Sequence, residues 1–593
     1  MSSLARPLSS INDIFLALAD RGAGSAMQRL VGKEWQTLSG SDVYAQVRAL
    51  AAVFANWGLE KGERIALISE NRHEWAITDF AALALGLIDV PIFPTLPAEQ
   101  IVDLLAHSGS RVVVVSTRQQ YEKIAKIRAR TSVERVIVMD EVPDADAVTF
   151  ASLVAGAPTA RDASFDEHVR SISGADPATI IYTSGTTGEP KGVLLTHGNL
   201  ASNVNYSLRE FDLSAADNSV SFLPLSHVTA RHVDYALYIL GCTLAYCPAL
   251  EKLMPTLATI RPTFFVAVPR VFEKLRHEVE RKSMQSPMKA RIVRWALATG
   301  ARNRATVLAG RTPTSPLWKL ADKLLYSKVR ALFGGRTRYW VAGGAPLGLD
   351  TANWFADVGI RIFEGYGLTE TSPVIGVNTS VAYRLGSIGK ILPNVEARIA
   401  EDGELLVRGP SIFSGYWSSP RMTAEAIDPD GWFATGDIGR IDDDGFLYIT
   451  DRKKELLKTS AGKLVAPQPI ENRLKADLFV GNVALVGDRE KYVAALISPN
   501  FQALEDWARL QKIPSDSRRD LAEHPEVVAI YKKLVKQVNT TLADFEMLKR
   551  FLVVPDEWTQ DGGELTPSGK LKRRVILERY QAEIASLYPK TGN

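Results

Sequence analysis

The chain has 593 residues, too many for one hydrophobic core, so roughly three or four lobes are expected. Its 46% hydrophobic and 23% charged residues are those of an ordinary globular protein, and a net charge of +3 gives no reason to expect nucleic acid as a partner. Two cysteines, Cys242 and Cys247, exclude a disulfide scaffold and make a zinc site unexpected, and no apolar run reaches the ~18 residues that a membrane span needs.

The first thirty residues mix Asp13, Asp20 and Arg21 with short apolar pieces, which is not the pattern of a signal peptide, so a cytoplasmic location is expected. Residues 41–60 have helical spacing and close on Gly58. The runs Arg64-Ile-Ala-Leu-Ile-Ser69, Ile88-Asp-Val-Pro-Ile-Phe93 and Val112-Val-Val-Val115 read as strands, as does 133–139, and residues 73–86 read as an apolar helix. Strands alternating with helices indicate a parallel α/β sheet covered on both faces. His73 and His107 fall on helical segments, where packing or surface exposure is their expected role.

The chain then reaches Tyr182-Thr-Ser-Gly-Thr-Thr-Gly-Glu-Pro-Lys-Gly192, after a β-branched run, Ala178-Thr-Ile-Ile181, that reads as a buried strand. Glycines let the backbone approach a ligand closely. Hydroxyls, bare N–H groups and the Lys191 amine suit phosphate oxygens. A Walker A loop needs Gly-Lys-Ser/Thr after a four-residue gap, whereas here Pro190 precedes Lys191. The stretch predicts a polyphosphate cradle outside the P-loop fold.

A second α/β half follows. Thr196-His-Gly-Asn199 reads as a helix entry and 219–224 as a strand that leads to Leu225-Ser-His227, Arg231 and His232. Residues 237–247 and 264–268 repeat the theme. Between 270 and 338 lysine and arginine dominate, while Ile292, Trp295, Leu297, Leu317, Leu320, Leu324 and Leu325 recur at helical spacing. Such a stretch either packs on the main body as a solvated helical pair or lies on an anionic membrane surface.

Residues 339–347 and 363–371 are each an apolar strand running into a Gly-rich turn, the kind of strand end at which open α/β sheets place ligands. Short strands with close turns at 386–389, 396–400, 403–408, 428–439 and 445–450 predict a small β barrel. Asp451-Arg-Lys-Lys-Glu455 raises the charge density and reads as a hinge. Strands at 483–486, 493–497 and 551–554 between helices predict a small α+β domain whose far end carries Leu565-Thr-Pro-Ser-Gly-Lys-Leu-Lys572.

Six motifs in this order, Tyr182–Gly192, Gly343-Gly-Ala-Pro346, Tyr366-Gly-Leu-Thr-Glu-Thr371, Thr435-Gly-Asp437, Asp451-Arg-Lys-Lys454 and Pro567-Ser-Gly-Lys570, resemble the AMP-forming acyl-CoA synthetases of the adenylate-forming superfamily. The basic segment and Asp-Arg-Lys-Lys point to the long-chain branch. The resemblance covers residues from about 30 to 580.

It implies an α/β N-terminal domain over 1–453 that binds AMP and acyl chain, built from two α/β sub-domains with a basic helical segment near 276–335 and a β-barrel part near 373–450. A mobile α+β C-terminal domain would occupy 454–593. The implied chemistry is attack of a long-chain fatty acid on ATP, giving acyl-AMP and pyrophosphate, then thioesterification with CoA.

Carried over by motif, Thr183, Ser184, Gly185, Thr186, Thr187, Gly188 and Lys191 would hold the β and γ phosphates. Thr369 would contact the α-phosphate, Glu370 would ligate Mg²⁺, and Gly344, Ala345 and Tyr366 would form the adenine slot. Asp437 and Arg452 would meet the ribose, and Lys570 would bridge carboxylate and α-phosphate. His227 stands at the acyl gate position, Lys454 at the pivot, and Gly462 beside the CoA channel, with Lys453, Lys458 and Lys463 near enough in sequence to meet CoA phosphates.

Two departures from the family, Val-Thr-Ala before Arg231 and Leu464 after Lys463, bear on acyl length and the CoA site. Acyl depth is expected to depend on residues 222–246 and 374–377. A carrier-protein acceptor in place of CoA, or a non-catalytic lipid-binding role, are the alternatives. Peripheral contact with the inner membrane face and pairing as a homodimer stay open.

Overall fold

The computed structural model describes residues 7–183, 191–566 and 569–588. An eight-stranded sheet runs in the order Gly415–Tyr416, Lys191–Thr196, Pro177–Thr183, Ile88–Ile92, Arg64–Ile68, Val112–Val115, Arg135–Val138 and Val148–Thr149. From Pro177–Thr183 onward neighbouring strands are parallel, and every residue of Ile88–Ile92 and Val112–Val115 is buried, as a sheet covered by helices on both faces requires. The other two strands are antiparallel. Thr183 pairs with Lys191, so the strand Pro177–Thr183 is followed by an antiparallel strand, whereas in a P-loop fold it would be followed by a helix. Ser184, Gly185, Thr186, Thr187 and Gly188 themselves lie outside the described residues.

A second layer holds Asn218–Ser221, Thr243–Tyr246, Ser25–Val31 and Glu34–Ser39. Thr263 N–H donates to the Asn218 carbonyl (3.1 Å) and so leads into a five-stranded sheet. Phe264–Ala267, Tyr339–Ala342 and Ile362–Gly367 run parallel there, and Val374–Val377 and Lys390–Ile391 extend it antiparallel. The 219–224 strand stops at Ser221. Leu223 has its carbonyl taken by the Asn71 side-chain amide at 2.6 Å.

The helix Val228–Ile239 is tied to the first sheet by one buried cation. Arg231 donates to Asp79 Oδ1 on the helix His73–Ala84 (2.7 Å), and to Asp89 Oδ1 (3.0 Å) and Thr179 Oγ1 (2.9 Å) on two strands. Its guanidinium also lies 5.3 Å from the centre of the Trp75 ring. Burial pushes both carboxyls up and Arg231 pulls them back, which is how charges are tolerated in a core.

The basic stretch is helical, as its spacing predicts. The long helix Pro287–Leu308 packs against Leu349–Asp357 at Gly300, where a Cβ would stand 2.0 Å from the Asp357 carbonyl oxygen. Arg304 then grips the Asp357 carboxylate through two nitrogens, at 2.7 and 2.9 Å. The basic segment is therefore packed on the body along this face.

Glu396–Ile399, Glu404–Arg408, Phe433–Ile441 and Leu447–Arg452 form an antiparallel sheet in that order, and the bridge Lys390–Phe446 joins it to the preceding one. Residues 386–389, expected as a strand, form a turn, because Gly386 and Gly389 take φ of +79° and +83°, outside the β region. Beyond the turn Lys453–Glu455, Val480–Val486 pairs antiparallel with Ala494–Pro499, which pairs parallel with Arg550–Val553, and helices pack around this sheet.

Candidate active site

A cleft of about 2890 Å³ opens where the C-terminal segment meets the ends of these sheets. Gly344 and Ala345 line it just beyond Tyr339–Ala342, Glu364 and Tyr366 from Ile362–Gly367, Asp437 from Phe433–Ile441, and Lys570 from the far end of the chain.

The strand Ile362–Gly367 can turn sharply only because residue 367 is glycine, since a Cβ there would lie 1.7 Å from the Pro373 carbonyl oxygen. The following turn, Thr369–Thr371, is closed by the Leu368 N–H donating to Thr371 Oγ1 at 3.0 Å. It is pinned from outside by the Phe413 N–H donating to the Glu370 carbonyl at 2.8 Å. Thr369 and Glu370 thus sit on a fixed turn at the sheet end. The Tyr416 hydroxyl donates to Glu370 Oε1 at 3.0 Å, and Lys191 Nζ stands 5.3 Å from the centre of the Tyr416 ring. Burial pushes the Glu370 carboxyl up, and Tyr416, Arg452 and Lys191 only partly reverse this.

Asp437 and Arg452 are opposite each other on antiparallel strands. Asp437 accepts from the Tyr366 hydroxyl (2.5 Å) and pairs with Arg452 Nε (3.2 Å). Its carboxyl is raised by burial and held back by Arg452, and the side chain is 4% exposed while Arg452 is 48% exposed. Across the cleft, burial raises the Glu364 carboxyl to about 7.

Lys570 closes a turn in which Thr566 N–H donates to its carbonyl (2.7 Å) and its own N–H donates to Thr566 Oγ1 (3.0 Å). Its side chain lines the cleft and remains exposed to solvent. Loss of bulk water, then the Arg452 charge, pull its amine below the usual lysine range, while Asp437, Glu455 and Glu370 act the other way. His227 caps the helix Val228–Ile239, its Nδ1 accepting the Thr229 N–H at 3.2 Å, so the neutral ring carries its proton on Nε2. Burial and Lys570 hold its pKa at about 4.

The structure thus brings Tyr366, Asp437, Arg452, Lys570 and His227 together in the lining of one cleft, and Glu370 joins them through the charges of Arg452 and Lys191. At the end of Pro177–Thr183, Tyr182 OH and His107 Nδ1 are 2.7 Å apart, and Trp417 Nε1 donates to the His107 carbonyl at 3.3 Å.

Other expected residues stand outside the cleft. Gly462 occupies the tip between Leu457–Lys458 and Leu464–Val465, where its N–H donates to the Thr459 carbonyl at 2.8 Å. Lys454 is exposed on the turn Lys453–Glu455. Lys453 bonds Asp402 (2.5 Å) and Glu404 (2.7 Å) and is thereby committed to the sheet of Glu404–Arg408, which is an open four-stranded sheet and not the expected barrel. Arg573, by contrast, lines the cleft with Lys570 and there bridges Glu455 (3.0 Å) and Glu471 (2.7 Å).

The apolar end of the cleft differs from expectation as well. Phe222, Leu223, Pro224 and Ala230 line it as expected, Val374–Val377 does not, and Leu275, Val279, Leu297 and Leu325 of the basic segment line it as well. Tyr416 and Glu364 were not singled out by the motifs. The Gly-Tyr-Trp at 415–417 and the acid before Gly365 were the available signals.

The AMP-binding enzyme family matches residues 19–417, and the AMP-binding enzyme C-terminal domain matches 454–592. The long-chain-fatty-acid–CoA ligase FadD15 of Mycobacterium tuberculosis is 36% identical over 575 residues, covering 95% of this chain and 94% of that one. Human long-chain-fatty-acid–CoA ligase ACSBG2 is 29% identical over 604 residues, covering 96% and 90%. Among solved structures, the adenylation domain of a carboxylate reductase from Mycobacterium chelonae superposes with a TM-score of 0.76 at 23% identity, over 98% of this chain and 92% of that one. ATP-bound MatB from Rhodopseudomonas palustris gives 0.70 at 24%, over 96% and 99%. The chain belongs to the AMP-binding enzymes and, within them, to the adenylate-forming long-chain acyl-CoA synthetases.

Proposed function

We propose that the protein activates a long-chain fatty acid with ATP, releasing pyrophosphate, and transfers the acyl group from acyl-AMP to CoA. The observation that carries the assignment of roles is Lys570, from the far end of the chain, standing in one cleft with Tyr366, Asp437 and Arg452. The substrate carboxylate is itself the nucleophile, so the site needs no Ser–His or Cys–His pair; it needs two anions aligned and charge neutralised.

Lys191 and Thr183, with residues 184–188, hold the β and γ phosphates. Thr369 contacts the α-phosphate. Gly344, Ala345 and Tyr366 flank the adenine, and Asp437 with Arg452 accepts and orders the ribose. Lys570 neutralises charge that builds between carboxylate and α-phosphorus. The apolar wall of Phe222, Leu275, Val279, Leu297 and Leu325 suits an alkyl chain, with His227 at its neck.

Glu370 fits a hard cation: it is a half-buried carboxylate that the charges of Arg452 and Lys191 do not return to its ordinary acidity. No group of three acidic, His or Cys side chains is gathered for a metal among the described residues, so Mg²⁺ would be shared between Glu370, phosphate oxygens and water. When bound it neutralises phosphate charge.

In the second step Lys570 withdraws, and Lys454 serves as the pivot that brings Gly462 toward the cleft. The division into domains near residue 453 follows the Lys453–Glu455 turn. The basic segment supports a further role as a membrane-contact face. Met288, Leu317 and Leu320 are exposed there, as are Lys289, Arg291, Lys319 and Lys323. Sedimentation with anionic vesicles against neutral ones tests it, and equal recovery would remove this role.

The central test incubates protein, ATP, Mg²⁺ and palmitate with and without CoA. Palmitate-dependent pyrophosphate and palmitoyl-CoA are expected. No pyrophosphate refutes the synthetase reading, and pyrophosphate without thioester would favour a carrier-protein acceptor.

A further inference from the structure

The helix Pro269–Met284 carries a polar stripe that the adenylation chemistry does not use. Arg270, Glu273, His277 and Arg281 follow one another at intervals of three or four and so share a face. The opposite side is apolar, with Phe272 fully buried and Leu275 and Val279 at the cleft.

Every member of the stripe meets the C-terminal segment. Arg270 Nη1 donates to the Gly481 carbonyl at 2.9 Å. Glu273 Oε2 lies 3.8 Å from Lys475 Nζ. His277 is buried with the Ala476 backbone as its polar neighbour. Arg281 Nη1 donates to Asp506 Oδ2 at 2.6 Å while its other nitrogens hold Glu278 (2.9 and 3.0 Å).

These partners belong to three different elements, Pro467–Lys475 with its end, Val480–Val486 and Phe501–Gln511. One helix therefore fixes both the position and the tilt of the C-terminal segment. The contact is polar and partly wet, with the Arg281 and Asp506 side chains 20% and 27% exposed. Polar surfaces of this kind can part without exposing apolar core, as repeated docking and release require.

We propose that this stripe is a docking latch that holds the C-terminal segment where Lys570 reaches the cleft, and that Arg281 and Asp506 are positioning residues for acyl-adenylate formation. The inference rests on the synthetase reading above and adds a role for residues outside its motifs. Arg281 and Asp506 touch no substrate in that reading, so their loss changes how often Lys570 is in place and leaves its chemistry intact. The second half-reaction, which needs Lys570 withdrawn, gains or is indifferent.

The test uses the full chain as wild type, Arg281→Ala, Asp506→Ala, Asp506→Asn and the Ala double variant. Palmitate-dependent ATP–pyrophosphate exchange reads the first half-reaction, and CoA-dependent consumption of supplied palmitoyl-AMP reads the second. Thermal unfolding checks the fold. Each single Ala variant should lose about fivefold in exchange, the range of a partly buried ion pair, with no further loss in the double variant because either change already breaks the pair. Thioester formation should stay level or rise. Unchanged exchange, equal loss in both half-reactions, or multiplicative loss in the double variant would overturn the latch. Absence of exchange in wild type would instead overturn the synthetase reading itself.

Discussion

Replacing Asp437 by asparagine tests the ribose assignment with a magnitude that follows from the local geometry. The carboxylate is almost fully covered and already accepts the Tyr366 hydroxyl, while Arg452 is half-exposed and can turn to water when its partner loses charge. The substitution keeps shape and removes charge. A hydrogen bond to a charged acceptor contributes about 1.5–3 kcal/mol and one to a neutral acceptor about 0.5–1.5, so two ribose hydroxyls lose about 2 kcal/mol together. That corresponds to about a thirtyfold rise in KM for ATP. Pyrophosphate release, titrated with ATP and with 2′-deoxy-ATP, gives the decisive comparison. Wild type should lose about tenfold on the deoxy analogue and the variant about threefold, since its acceptor is neutral already. An unchanged KM for ATP, or the same deoxy penalty in both proteins, would refute Asp437 as the ribose acceptor.

Lys570→Ala should slow pyrophosphate release about 10²–10³-fold and leave thioester formation from supplied acyl-AMP largely intact, and equal loss of both would contradict withdrawal of this residue. The depressed Lys570 amine also sets a pH limit. The charged form is the working one, so the first half-reaction should fall as pH rises through a value below the ordinary lysine range, and Lys570→Arg should abolish that fall. Lys454→Pro stiffens the Lys453–Glu455 turn and should impair one half-reaction more than the other, whereas wild-type rates in both would exclude Lys454 as the pivot. Burial holds the Asp234 carboxyl at about 7, well above its unfolded value, although Ser221 donates to it at 2.9 Å. The folded state thus keeps a proton that the unfolded chain releases at lower pH, and stability from this group is lost as pH rises toward 7. Asp234→Asn should raise the unfolding midpoint more at about pH 8 than at about pH 5, and equal shifts would refute this.

Much of the site was legible because its parts are local. Gly-rich turns after apolar strands, and the acid of Thr435-Gly-Asp437, need only a few neighbouring residues to declare themselves. Strand periodicity is equally local, which is why the sheet of Arg64–Ile68 and its neighbours could be anticipated. Tyr416 could not, since its meaning depends on a hydrogen bond to a residue 46 positions earlier. The commitment of Lys453 to Asp402 and Glu404, and of Arg270 to Gly481, likewise depends on which surfaces face each other after folding. The basic segment showed the same limit. Spacing identified its helices but could not separate leucines that wall the cleft, such as Leu325, from those that face outward, such as Leu317.

The buried Arg231 cluster has a consequence for re-engineering chain length. The helix that begins at His227 is bolted to two strands and a second helix by a cation whose release would leave two acids in the core. That wall of the proposed acyl pocket therefore cannot be moved in small increments; removing one partner costs several kcal/mol at once, about 3–5 for buried pairs in general. The wall made by Leu275, Val279 and Leu325 is held by partly exposed ion pairs such as Arg281–Asp506 in place of a fully buried cation. Selection for longer or shorter acids has its freedom there, and libraries aimed at those three positions should yield folded variants where libraries around Arg231 yield aggregates.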